Sequence, residues 1–271
     1  MISRGLLLLI ASLFVVLQSS TGYGQREEPL CDIITPGKLE KLTAIPVKLM
    51  VNFSPSADPS SFMAILNGRN ITRYFETGGN GVRAKVGPDQ GIEVNLRNQP
   101  PGRVNTLKVL VRNKGEERYQ NYRVDFFVEV DAIKVIGREG GSLYSPDDRF
   151  FITIPPGALM QPTAIALRSE NVNSPLGGVY HLSPRDLEFS APFDLTFRYD
   201  RSRLPAGALE DELFLLTDLE FTRRVQNTRQ ELARQLFTGQ SWVLSSFFLS
   251  YYKNIGKKLS DIPFTESFRV P

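Results

Sequence analysis

The chain carries a single histidine, His181, and a single cysteine, Cys31, among 271 residues. That scarcity excludes His/Cys zinc sites and leaves nucleophile–histidine catalysis nowhere to form except around His181, which no serine-containing elbow motif supports. A phosphate cradle is the next chemistry to test, because glycines cluster at Gly137, Gly140 and Gly141. Such a loop needs backbone N–H groups converging ahead of a helix, usually with a Lys-Ser/Thr pair. No such pair follows here. Leu143, Phe150, Ile152 and Ile154 alternate against Phe151 and Thr153 with the period of a strand, so the glycines read as a turn entering a strand. Asp147-Asp148 and Glu210-Asp211-Glu212 supply clustered carboxylates, but neither matches an EF-hand or a repeated Asp-x-Asp pattern, and both read as solvated turns. No catalytic, cofactor or metal site follows from these residues.

The elements around them are short strands. Ile45, Val47, Leu49, Val51 and Phe53 alternate with Pro46, Lys48, Met50 and Asn52, so one face of that segment is buried. The pattern recurs in GVRAKV, GIEVNL, TLKVLV and YRVDFFVEV, separated by Asn67-Gly68, Gly78-Gly79-Asn80-Gly81, Pro100-Pro101-Gly102 and Asn113-Lys114-Gly115. About seven strands at this spacing over 40–131 predict an antiparallel β-sandwich. Farther on, Phe193, Leu195, Phe197 and Tyr199 alternate just as cleanly.

Arg4, an apolar run from Leu6 to Leu17, and small residues at Gly22 and Gly24 have the three parts of a secretory signal peptide cleaved before Gln25. At about 1.5 Å per residue the apolar run spans roughly 20 Å, short of a bilayer's roughly 30 Å, so no stable membrane insertion is expected after cleavage. An uncleaved anchor and a lipidated Cys31 are the alternatives. Glu28, Pro29 and Leu30 before Cys31 are unlike a lipobox, and a lone cysteine reads as a free or intermolecularly paired thiol in an N-terminal extension over 25–39. The balance of 32 basic against 29 acidic residues gives no footprint for nucleic acid.

Two stretches resemble known families. QPPGRVNTLKVLVRNKGEERYQNYRVDFFVEV resembles the end of bacterial immunoglobulin-like or cadherin-like modules, in which a G-x-N-T-L-x-V-x-V strand turns into a final strand. I-G-x-E-G-G-x-L (136–143), I-P-P-G-A-L (154–159), P-T-x-I-x-L (162–167) and L-S-P-x-x-L-x-F-x-x-P-x-x-L-x-F-x-Y-D (182–200) resemble the ZU domain of zona occludens scaffolds, netrin receptors and ankyrins. That resemblance implies interaction and assembly rather than small-molecule catalysis. It also implies one reaction, because some relatives cleave themselves at a His-Phe-Ser motif, the serine hydroxyl attacking the preceding carbonyl. His181-Leu182-Ser183 has the order His-x-Ser and supports an acyl shift only if the Leu182-Ser183 bond is strained. Pro184 follows the serine and the triplet sits inside the module, both against cleavage. Near the C-terminal end, where relatives carry the triplet, Phe248 stands in the histidine's place in Phe248-Leu249-Ser250.

From Asp218 to Phe237 the chain has no Gly or Pro, and Leu219, Val225, Leu232 and Leu236 are spaced for one helical face, so a helix is expected there. WVLSSFFLSYYKNI after it reads as a closing strand. The expected fold is mainly β: two antiparallel β-sandwich modules in tandem, immunoglobulin-like over 40–131 and ZU-like over 132–217, with one C-terminal α-helix and an aromatic strand over 218–256 and an extension over 257–271. The expected function is a non-enzymatic, secreted or periplasmic interaction module without a cofactor, binding a protein or a cell-surface polymer, with strand addition at a sheet edge as the generic mechanism. Self-cleavage at Leu182-Ser183 and a passive spacer are the competing readings.

Overall fold

A computed structural model describes residues 28–97, 99, 102–173, 176–204, 206, 208–218 and 222–251. The signal-peptide region 1–24 and the extension 257–271 lie outside the described residues. The first half comprises β1 (Cys31–Thr35), β2 (Lys41–Leu42), β3 (Val47–Phe53), β4 (Ala57–Leu66), β5 (Arg69–Asn70), β6 (Glu76–Gly78), β7 (Gly81–Val86), β8 (Asn95–Leu96), β9 (Asn105–Asn113) and β10 (Tyr119–Val130). The second comprises β11 (Ala132–Ile136), β12 (Gly141–Tyr144), β13 (Phe150–Ile154), β14 (Thr163–Glu170), β15 (Val179–Ser183), β16 (Glu188–Arg198), β17 (Leu213–Asp218), β18 (Thr222–Arg224), β19 (Gln226–Glu231), β20 (Leu236–Val243) and β21 (Ser246–Tyr251). The protein is mainly β, with several sheets.

In the first half a four-stranded sheet ordered β1-β3-β7-β6 and a second sheet ordered β2-β10-β9-β4-β5, with β8 also on β10, share one core. Val47, Leu49 and Val51 from the first sheet meet Leu107, Val109, Phe126 and Val128 from the second. These are the inward sets of the alternation, because successive side chains of a strand point to opposite faces. In the GIEVNL segment only Asn95 and Leu96 pair as a strand. In the second half the sheets β11-β14-β15-β21-β17-β18 and β12-β13-β16-β20-β19 share another core, which draws Phe150, Tyr180, Phe193, Phe197 and Phe247 together.

Three expectations change. The described residues of 218–237 form no α-helix. Asp218 closes β17, β18 turns back onto β17, and β19 pairs with β20 around a three-residue 3-10 turn at Leu232–Arg234. Of the supposed apolar stripe, Val225 is buried in the core while Leu232 is 49% exposed. The one expected helical face of Leu219, Val225, Leu232 and Leu236 is too narrow to anchor a helix, whereas the ladders of β17 and β20 offer hydrogen bonds to a segment carrying Thr, Val and Phe. The described part of the aromatic stretch, 242–251, likewise divides, β20 lying in one sheet and β21 in the other. Leu213, Leu215, Val225, Phe237, Phe247 and Leu249 all join the same core, so the chain on either side of position 217 folds around one interior.

Cys31 is the third. Rather than belonging to an extension, it starts β1, pairs opposite Phe53, and is 3% exposed. Burial, and then the charge of Asp32, push its thiol up to about 12. Between about pH 9 and pH 12 the unfolded chain gives up this proton while the folded chain keeps it, so stability falls as pH rises through that window and is unaffected by the thiol below it. At pH 8 the native chain is expected to resist iodoacetamide and the urea-unfolded chain to take up one equivalent, read by mass.

The two halves meet tightly. Asp131, between β10 and β11, has a side chain 4% exposed that accepts hydrogen bonds from the backbone N–H and hydroxyl of Ser169 and pairs with Arg97 Nε at 3.2 Å. Ala166 of β14 is buried in the first half's core.

Candidate functional site

Tyr180 and Leu182 face the core from β15, which turns His181 and Ser183 to the opposite face. They share that face, but each is engaged elsewhere. Ser183 Oγ accepts the Ile45 N–H at 3.2 Å, across the junction of the two halves, and Ser183 is 5% exposed. His181 lies between two other strands. Its Nδ1 is 2.8 Å from Ser246 Oγ, its direct partner on β21, and its Nε2 is 3.5 Å from Glu170 Oε2 of β14. Arg168 shares the same carboxylate at 3.0 Å through Oε1. Ser246, His181 and Glu170 thus form a polar ladder across three adjacent strands, with the hydroxyl under cover. Two of its members were invisible in the local motif, since Ser246 is 65 residues from His181.

The carboxylate clusters are structural. Asp147 receives the Tyr180 hydroxyl at 2.8 Å on Oδ2 and both the Arg149 N–H and the Ser145 hydroxyl on Oδ1, so it braces the turn between β12 and β13. Burial, followed by the Asp147 hydrogen bond, pushes the Tyr180 phenol well above its ordinary value. Glu210 pairs with Arg201 at 2.6 Å, and that hydrogen bond holds its carboxyl below the usual range. Among the described residues no three His, Cys, Asp or Glu side chains converge as a metal site would require. No described helix is long and apolar enough to cross a membrane.

Gly137, Gly140 and Gly141 make no cradle. The Gly140 N–H bonds to the Gly137 carbonyl in a turn, the Gly157 N–H reaches back to Arg138 O, and β12 follows directly.

A different surface has the form of a binding site. On the outward face of the four-stranded sheet a groove of about 580 Å³ is floored by β3 and β7. Lys48 and Lys85 are direct cross-strand partners there, and Arg83 stands two residues before Lys85 on β7. Like charges opposed in this way destabilise a sheet unless something neutralises them. Among the described residues Lys48, Lys85 and Arg83 have no ion-pair partner, and all three are exposed. The next row across the sheet runs Thr35, Met50, Arg83, Glu76, so one acid stands at the β6 side and one thioether lies between the cations. Tyr74 closes the end of the groove, its ring covered by the Arg73 guanidinium at 4.9 Å. The alternation of IPVKLMVNF and GVRAKV already turns Lys48, Met50, Arg83 and Lys85 outward, but only the register of β3 against β7 brings the lysines together.

A scan of protein-family models and a search of curated proteins return no match. Among solved structures the chain is similar to a chimeric titin Z1Z2-Z1Z2 tandem functionalised with a GRGDS peptide from fibronectin, at 9% identity and a TM-score of 0.23, covering 82% of this chain and 91% of that one.

Proposed function

We propose that the chain is a secreted or periplasmic, cell-envelope binding protein without catalytic activity, built of an immunoglobulin-like β-sandwich over 40–131 followed by a ZU-like one from 132, and that it holds a protein or surface polymer. The observation that carries this reading is the groove over β3 and β7, where Lys48 and Lys85 oppose each other and neither has an ion-pair partner among the described residues. A protein gains nothing in stability from that pair, so an anionic partner is the compensation it is suited to. The reading places recognition on a sheet face rather than at an edge. The position of His181 supports it too, because a histidine whose Nδ1 is bonded to Ser246 on the neighbouring strand is poorly disposed to take a proton from Ser183.

Isolated envelope material is expected to bind the purified chain saturably, and the exposed double charge reversal Lys48→Glu, Lys85→Glu is expected to remove that binding without moving the thermal midpoint. Unsaturable or charge-independent retention would favour a spacer. Intact mass should give one species, and fragments meeting at Leu182-Ser183 would replace this reading with self-cleavage.

A further inference from the structure

Resting on the assignment of the groove as the binding surface, we infer that the groove takes one phosphomonoester group, carried on a sugar of a surface polymer. The charges set the valence. Lys48 and Lys85 are direct partners in the ladder of β3 and β7, and Arg83 stands two residues from Lys85 on the same face. Directly opposed side chains in a sheet start about 5 Å apart and diagonal ones about 7 to 8 Å, and each of these cations rides on a flexible stem, so the three can converge on one anion. The Arg83 side chain lies along Gly78, on the β6 side, and joins the two lysines by a change of rotamer. Glu76, opposite Arg83, is the one acid lining the groove among the described residues, so three cations less one carboxylate leave two positive charges to be met. A phosphomonoester brings a charge of about −1.5 to −2 at neutral pH and three terminal oxygens, one for each cation. A carboxylate or a sulfate ester brings a single charge and leaves the rest unmet.

The backbone beside the lysines separates a sugar from a peptide as the carrier. β1 pairs with β3 only as far as Thr35 opposite Met50, and β6 pairs with β7 only as far as Glu76 opposite Arg83. The Phe53 N–H bonds to Asn80 O, so counting by twos along the ladder turns the N–H and C=O of Lys48 and of Lys85 away from each other, towards those unpaired edges. Each such edge is short. Pro46, two residues before Lys48, has no N–H, and the Gly87 N–H, two residues after Lys85, already bonds to Gln90 Oε1. A peptide adding there as a strand would gain the bonds of one residue and leave its other amides without partners. A sugar needs no ladder. Thr35 and Glu76 line the groove as partners for ring hydroxyls, and Met50 gives an apolar contact to the C–H groups of the ring. At about 580 Å³ the groove is larger than a lone phosphate needs and has the size of a small-molecule site.

Calorimetry on the full purified chain with three probes built on the same ring, glucose 6-phosphate, glucose 6-sulfate and glucuronate, tests the inference. At neutral pH and low salt glucose 6-phosphate is expected to bind about tenfold or more tighter than either of the others, and to weaken as salt is raised to about 0.15 M. Lowering the pH through about 6, where a phosphomonoester takes up its second proton, is expected to weaken glucose 6-phosphate and to leave glucose 6-sulfate unchanged. The sulfate thereby controls for Lys48, Arg83, Lys85, Glu76 and Tyr74, the ionisable groups that line the groove. Lys48→Glu, Lys85→Glu is expected to weaken glucose 6-phosphate by about tenfold or more and Glu76→Gln to tighten it, with circular dichroism and melting unchanged for both. Equal binding of the sulfate or of glucuronate would overturn the phosphate, and a phosphoserine peptide binding more tightly than glucose 6-phosphate would overturn the sugar. Two failures are distinguishable. If glucose 6-phosphate does not bind while the double reversal still abolishes binding to envelope material, the ligand class is wrong and the groove remains the binding surface. If the reversal changes neither, the groove assignment fails with it.

Discussion

Replacing Gly140 by valine is expected to destabilise the protein by about 3 kcal/mol or more, combining backbone strain with a collision. Gly140 sits at φ 75°, in the left-handed region, and a Cβ there would come 2.4 Å from the Ile154 carbonyl oxygen and 2.8 Å from the Pro155 carbonyl carbon. Both contacts are with backbone, and the second lies in the Pro155-Pro156 segment that ends β13, so neither can move aside cheaply. The glycine turn and the Pro-Pro-Gly stop, 15 residues apart in the chain, are therefore packed against each other. Gly157 is the matched control. It has φ 79° with nothing within 4 Å of an added Cβ, so Gly157→Ala is expected to cost only the conformational part, about 1 kcal/mol. Urea unfolding followed by the fluorescence of Trp242, the chain's only tryptophan, measures both. Equal losses at the two positions would show that the approach of Gly140 to Ile154 has no energetic weight.

Phe150→Ala is expected to cost about 4 kcal/mol, the range for deleting a fully buried aromatic side chain. Phe150 has no exposed surface, stacks on Tyr180 at 4.6 Å with 18° between the rings, and meets Phe197 at 4.7 Å. The three rings come from β13, β15 and β16, so they join both sheets of the second half across its core. A cavity there removes the ring that holds Tyr180, and Tyr180 braces Asp147 from the same strand that carries His181. Phe150→Leu refills much of the volume and is expected to lose about 1 kcal/mol. The measurement is the same urea titration. A loss at Phe150→Ala below that of Phe150→Leu would contradict the packing described.

The strands that alternate most strictly were legible. Val47, Leu49, Val51, Phe150, Ile152, Phe193 and Phe197 are buried as their spacing implies, because a period of two puts them on a single face. The segment 218–237 was misread because its local preference for a helix is weak, and the open ladders of β17 and β20 outweigh it. β1 was missed for a related reason. CDIIT is short and bulged between Ile33 and Thr35, so it shows no clean period, and its pairing with β3 is what orders it and buries Cys31.

The candidate sites divide in the same way. His181, Ser183 and the outward direction of Lys48, Met50, Arg83 and Lys85 can be read from neighbouring residues, since facing within a strand is a local property. The joining of His181 to Ser246 and Glu170, the covering of Ser183 by Ile45, and the opposition of Lys48 to Lys85 cannot. Each depends on which strands pair and in what register, and register is set by how whole sheets bury their apolar faces. The sequence by itself determined a mainly β chain through its alternation, and a scarcity of catalytic side chains through its single histidine and cysteine. Only the tertiary structure decided where unpaired charge accumulates, because side chains 37 residues apart become neighbours only when β3 and β7 align.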